Sequence, residues 1–440
     1  MRFTKYGKLV TVSAILVAGL VLRVLPAPYS TGSDILQFAG FADTFIRHGS
    51  CFYCYATMSS WVTEGWPYNW PYVYGPVWVL VLAGLRSFVR SEVVTEYVGS
   101  TYYVYAPMDW VAAVKSVMIA SDTVAALLLY VLISRFKGWR MGAAGTALFY
   151  LNPVTIYVSA IYGMFDSLAL SFFLASLLLI ERNHLASGAL AAAALLTKQV
   201  LLLPVITEGV WQLIKGRRRF VLFVAGAALA STLLLAPFML FCPSSIERML
   251  EAFLYPARVW YVRPLPYSFN GLSSIATYLH DMYGLNTSFL IEYWYVIAVP
   301  LYAVVLAYLV RKKDLWVSVC LSYVVFTATY WRVNYQYMVT LIALLTMLLV
   351  SSRLNYLAKS IVSATIVWAA LWTLMYPISW WFKVHVRSPN YEVVSMVDKF
   401  SLHVLDYSVY VIYSMVLTAL QYIMITYVLF KSRLLSNTQR

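Results

Sequence analysis

The sequence predicts an all-α, polytopic transmembrane helix bundle of about twelve spans, forming one domain over residues 1–440. Three observations carry this. Of the 440 residues, 62% are hydrophobic and only 11% are charged, about half the charged share of a soluble domain. Apolar stretches approaching the roughly 20 residues needed to cross a bilayer recur from end to end. The basic residues cluster in short runs between those stretches, the pattern of cytoplasmic loops. The net charge of +14 is therefore read as topology, and no nucleic-acid partner is expected.

The elements follow in chain order. Arg2, Lys5 and Lys8 precede the first apolar stretch, residues 9–25, which places the N-terminus in the cytoplasm. Pro26-Ala27-Pro28 is a poor signal-cleavage site, so this stretch reads as a retained span. The next dense basic cluster is Arg135, Lys137 and Arg140. An odd number of crossings must separate the two clusters, so only one of the two intervening apolar stretches spans. Residues 109–134 are long enough. Residues 72–89 are short, begin beside a proline and carry Arg86, and read as an external or re-entrant helix. Residues 26–108 then form a first large external loop with interfacial helices.

Further spans are expected at 141–160 and 166–180. Two short helices, 185–197 and 199–214, form a hairpin turning at Lys198-Gln199, and 220–241 follows. A second external loop covers 242–290, where Pro256, Pro264 and Pro266 exclude one continuous helix. The remaining spans lie near 291–310, 315–331, 335–350, 360–381 and 407–430, which leaves both termini cytoplasmic.

Cys51 and Cys54 form a C-x2-C pair, and Cys242 borders the second loop. No second pair completes a metal set, so free or disulfide-bonded cysteine is the expectation and no metal is assigned. Ionisable residues at membrane depth are costly and mark function or buried pairing. Lys115 and Asp122 share one helical face; Asp122 is expected to bond neighbouring helices, and Lys115 to reach toward an anion at the surface. Lys198 stands at a helix break where a lipid-borne anion would pass. Asp34 falls at the start of an amphipathic segment, residues 35–46, expected to lie on the bilayer with Asp34 as its N-cap and Asp43 on its polar face.

The external face thus gathers carboxylates at Asp34, Asp43 and Asp166 and cations at Lys198, Arg258, Arg263 and Arg332. A carboxylate can take the proton from an acceptor hydroxyl, and cations can stabilise a departing phosphate. That combination fits sugar transfer from a lipid phosphate. A secondary transporter of a lipid-linked or small anionic substrate is the alternative, although the chain lacks two matching halves. A non-catalytic lipid-binding subunit would not need these charges on one face.

Leu151-Asn152-Pro153, then Ile161-Tyr162-Gly163-Met164-Phe165-Asp166-Ser167-Leu168, then Leu196-Thr197-Lys198-Gln199 resemble the core pattern of the integral-membrane glycosyltransferases of the C superfold. The resemblance covers residues 32–203. It also aligns Ser33-Asp34 with an early loop acid, Tyr74-Gly75-Pro76 with a Tyr-Pro-Pro element, and Gln336-Tyr337 with a late Gln-Tyr element. Met164 replaces a common glutamine, and Gly75 a proline.

The resemblance implies an inverting, metal-independent hexosyltransferase, of mannosyltransferase type, that uses a polyprenyl- or dolichyl-phosphate sugar donor and no further cofactor. The acceptor would be a glycolipid, glycan or protein. Asp34 and Asp166 would be catalytic. Lys198, Arg332 and Arg263 would hold the donor phosphate. Tyr74, Gln336 and Tyr337 would contact the acceptor or order the loop. The site would face outward from a prokaryotic cell membrane, or into the lumen of the endoplasmic reticulum in a eukaryote.

Overall fold

The structure, a computed structural model, describes residues 2–67, 69–98, 101–258, 270–350, 354–371, 384–386 and 407–430. Its helices are α1 (Arg2–Val24), α2 (Ser33–His48), α3 (Pro76–Phe88), α4 (Met108–Lys137), α5 (Trp139–Tyr150), α6 (Asp166–Leu179), α7 (His184–Thr197), α8 (Leu202–Lys215), α9 (Arg217–Phe241), α10 (Ser244–Leu254), α11 (Leu272–Tyr283), α12 (Trp294–Lys312), α13 (Leu315–Thr329), α14 (Tyr337–Leu349), α15 (Tyr356–Leu371) and α16 (Tyr407–Phe430), joined by short turns. Each apolar stretch expected to be helical is helical where it is described; residues 372–381 lie outside the described set. A small sheet was not expected. In it β1 (Val94–Val98) pairs antiparallel with β2 (Thr101–Tyr105), and β2 pairs parallel with β3 (Val384–Val386).

Among the described residues five helices are long and apolar enough to cross a membrane, in α1, α4, α9, α12 and α16. A sixth crossing arises if α5 and the segment after it form one span. That span, expected over 141–160, bends by 53°. Asn152 ends one helix and caps the next, its side chain accepting from the Val154 amide, and Pro153 cannot continue the hydrogen-bond ladder. The helix resumes and widens into a π-helix over Tyr157–Tyr162. The hairpin α7–α8 is built from two 14-residue helices, about 21 Å each. α7 lies almost backbone to backbone against α9. A Cβ on Gly188 would stand 1.8 Å from the Phe223 carbonyl oxygen, and one on Gly226 1.9 Å from that of Leu185. Small residues at such a contact drive helix association inside a bilayer.

Arg23 meets Asp122 at 2.7 Å with both side chains fully buried. Its guanidinium also donates to the Tyr150 carbonyl and to Thr155 Oγ1, while Asp122 accepts from Ser159 and Ser167. Asp122 thus bonds neighbouring helices as expected, and it ties α1, α4, the π-helix and the first turn of α6 together. Lys115 does not reach the surface. Its ammonium is enclosed by the carbonyls of Ala27, Ser30, Ala160 and Ile161 and by Ser30 Oγ, so it is spent within the fold.

Two further expectations change. The apolar side of α2 is turned into the protein: Ile35, Leu36, Phe38, Phe41 and Ala42 are buried, packed against α3, and Asp43 pairs with Arg86 at 2.7 Å. Its N-cap is Gly32 rather than Asp34, and no side chain caps it. The pairing of the cysteines is also settled. Cys51 is bonded to Cys242, and Cys54 is free. That bond joins the first loop to the start of the second, so both lie on one side of the membrane with an even number of crossings between them.

Cysteine labelling checks this topology on a Cys54→Ser, Cys320→Ser background. Ser91→Cys should react with an impermeant maleimide from outside, and Lys137→Cys only after permeabilisation. Reaction of both from one side overturns the assignment.

Candidate active site

The site is assembled from helix starts and helix breaks. Asp34 is the second residue of α2. The Gly32 amide donates to the Tyr162 carbonyl at 2.7 Å, and Tyr162 Oη donates to Asp34 Oδ2 at 2.7 Å. Ser33 Oγ lies 3.3 Å from the same hydroxyl. The end of the π-helix therefore aims Asp34. The Lys115 cage grips both flanks of this contact, at Ala27 and Ser30 on one side and at Ala160 and Ile161 on the other.

Asp166 is the first residue of α6. Its Oδ2 meets Lys198 Nζ at 2.6 Å, with the side chains 1% and 2% exposed. Asp166 Oδ1 has no hydrogen-bond partner. Lys198 is extended, with φ −155° and ψ 124°, between α7 and a short 3-10 turn at Gln199–Leu201. This is the helix break the sequence led us to expect. The ring faces of Phe165, Tyr337 and Tyr74 surround its ammonium at 5.0, 5.5 and 5.7 Å. An ammonium has three N–H donors, and Asp166 takes one.

Tyr74 reaches Lys198 because of Gly75. A Cβ there would stand 2.0 Å from the Leu196 carbonyl oxygen, so the loop can lie this close to the end of α7 only with glycine. The Tyr72 hydroxyl donates to the Gly75 carbonyl, and that of Tyr53 to the Tyr74 carbonyl. From the far side, Arg332 stacks over the Trp70 ring at 5.1 Å.

These groups face one cavity of about 300 Å³. Asp34, Tyr74, Lys198, Arg332, Gln336 and Tyr337 all line it, together with Tyr162, Gln199 and Asn334. Asp166 is reached through Lys198. Arg263 lies outside the described residues, and Arg258 is exposed. Tyr162 and Gln199 were not singled out as site residues from the sequence, although both fall inside the quoted motifs. The cavity also extends along apolar faces, past Leu202 and Leu203 of α8 and Ala298 and Val299 of α12. Leu202 and Val299 are 47% and 65% exposed.

Burial pushes the Asp34 carboxyl above the usual aspartate range. The Tyr162 hydrogen bond and the charges of Lys198 and Arg332 pull it back, and Asp166 adds to the rise. A carboxylate that is poised upward, yet held by a hydroxyl donor, is fitted to accept a proton.

The described helices mark a multi-pass membrane protein, and a carboxylate and two cations line one cavity that opens along apolar helix faces. The chain belongs to glycosyltransferase family 87, whose profile matches residues 72–352, more than half of the sequence. The resemblance to membrane glycosyltransferases is thereby borne out. Two crystal structures of ArnT from Cupriavidus metallidurans are similar in shape. The form bound to undecaprenyl phosphate has 15% identity and TM-score 0.48, covering 96% of this chain and 78% of that one. The apo form has 16% identity and TM-score 0.46, covering 98% and 78%. No curated protein sequence matches this chain.

Tyr162→Phe should move the acid limb of the pH profile of kcat/KM to higher pH. The hydroxyl stabilises the ionised form of Asp34, so its loss raises the carboxyl pKa further, and more alkaline solution is needed to generate the base. An unmoved limb in a folded variant means that Asp34 is not the group titrating.

Proposed function

We propose that this protein transfers a monosaccharide from a polyprenyl-phosphate sugar to a hydroxyl of a glycolipid, glycan or protein, with inversion and without a metal ion, at the non-cytoplasmic face of the membrane. A hexose, mannose first, is the preferred sugar, and the carrier is a bacterial-type or dolichyl-type polyprenol. The observation that carries this reading is the convergence of Asp34, Lys198 and Arg332 on one cavity that also runs out along lipid-facing helices. The exposed apolar faces of α8 and α12 support entry of a prenyl chain from the bilayer. The Cys51–Cys242 bond supports an oxidising, external compartment for both loops.

In this reading the phosphate sits against Lys198 and Arg332. Asp34 removes the proton from the acceptor hydroxyl as that oxygen bonds the anomeric carbon from the face opposite the phosphate. The bond between the anomeric carbon and the phosphate oxygen breaks, and the charge left on the phosphate is taken up by the two cations. Asp166 fixes the Lys198 ammonium and, through it, the phosphate position.

Asp34→Asn should keep donor affinity and stability, since this side chain caps no helix, while turnover with a polyprenyl-phosphate sugar falls about 10²–10⁴-fold. Near wild-type turnover would move the base to Asp166.

Lys198→Ala should weaken donor binding by about 1.5–3 kcal/mol, the range for hydrogen bonds to charged groups. Because removing one partner of a buried pair strands the other, the measurement is best made with Asp166→Asn in the same chain. Unchanged affinity in that double variant removes Lys198 from the phosphate site.

A further inference from the structure

Gln199 follows Lys198 and lines the same cavity. Its amide nitrogen donates to two main-chain carbonyls, Val73 at 3.0 Å and Phe253 at 3.4 Å. Both partners are acceptors only, so the amide cannot be turned around without facing oxygen against oxygen. The carboxamide oxygen is therefore fixed as an acceptor. It is buried and has no partner, whereas buried polar atoms are otherwise almost always paired. Across the cavity Asn334 Oδ1 and Gln336 Oε1 are also buried without partners.

Such an oxygen selects its ligand by chemistry. Phosphate oxygens are acceptors and cannot serve it, whereas a hydroxyl can. Lys198 has the complementary property, having donors only. Both residues line the same cavity, so they present a donor and an acceptor to one ligand. We propose that Gln199 is a specificity residue, its carboxamide oxygen accepting a hydrogen bond from a free hydroxyl of the donor sugar while Lys198 holds the phosphate. This rests on the functional reading above, and it restricts the donor to sugars whose hydroxyl near the anomeric carbon is unsubstituted.

The test measures affinity of the full-length, detergent-solubilised protein for undecaprenyl phosphate and for undecaprenyl phosphate carrying mannose or glucose, whichever binds more tightly. Gln199→Met should weaken binding of the phospho-sugar roughly five- to thirtyfold, the span of one lost hydrogen bond. Binding of undecaprenyl phosphate alone should stay within about twofold, and this also shows that the variant is folded. On the ligand side, one monodeoxy donor should lose the same factor on wild type and none on the variant, as expected for two groups in direct contact. A variant that binds both lipids equally worse, or both unchanged, overturns the proposal. A variant unchanged in donor binding but raised in KM for the acceptor assigns the hydroxyl to the acceptor, and overturns it too. If wild type binds neither lipid, the functional reading falls, and this inference with it.

Discussion

The ion pair between Lys198 and Asp166 is the contact on which the site depends. Two charges with almost no exposure are tolerable in an apolar bundle only together, and losing one leaves the other stranded at about 3–5 kcal/mol. The pair therefore fixes the break between α7 and α8 against the start of α6. Once the break is fixed, the rest of the cavity is referred to it. Gly75 sets the first loop against the end of α7, and Tyr74, Phe165 and Tyr337 close around the ammonium. Rings around a cation hold it electrostatically and accept no strong hydrogen bond. They position the lysine without using up its remaining donors.

The site is organised by pieces that come from far apart in the chain and each begin or end a helix. Asp34 and Asp166 open helices, Lys198 interrupts one, and Gln336 precedes another. Backbone at such places is free to bend, and its polar atoms need partners that a membrane cannot supply. Irregular backbone persists there because other parts of the protein satisfy it: the Tyr162 carbonyl takes the Gly32 amide, and the Gln199 side-chain amide donates to the Val73 and Phe253 carbonyls.

Much of this was legible in the sequence, and the reasons are specific. Helix positions follow from the lengths of apolar stretches, because in hydrocarbon the backbone must bond within its own segment. Asp34, Lys198 and Arg332 stood out because each is an ionisable group beside or within such a stretch. What was not legible depends on partners. Arg23 was passed over because its partner, Asp122, is 99 residues away. Cys51 bonds Cys242 rather than its neighbour Cys54, and spacing alone carries no trace of that. Asp34 reads as a cap by residue type, yet the helix starts two residues earlier, where Gly32 is held by the Tyr162 main chain. Tyr162 itself was hidden by its aromatic neighbours, and only the hydroxyl contact distinguishes it.

Lys115 follows from a different logic. Four of its five oxygen contacts are main-chain carbonyls, from Ala27, Ser30, Ala160 and Ile161. Every residue type carries such a carbonyl. Side chains at those positions can drift over evolution while the cage stands, and no compensating change at any of them can replace the lysine. Among relatives of this chain, Lys115 should therefore be retained or lost alone. Methods that find contacts from pairs of positions changing together are blind to a bond of this kind, however much of the site hangs on it.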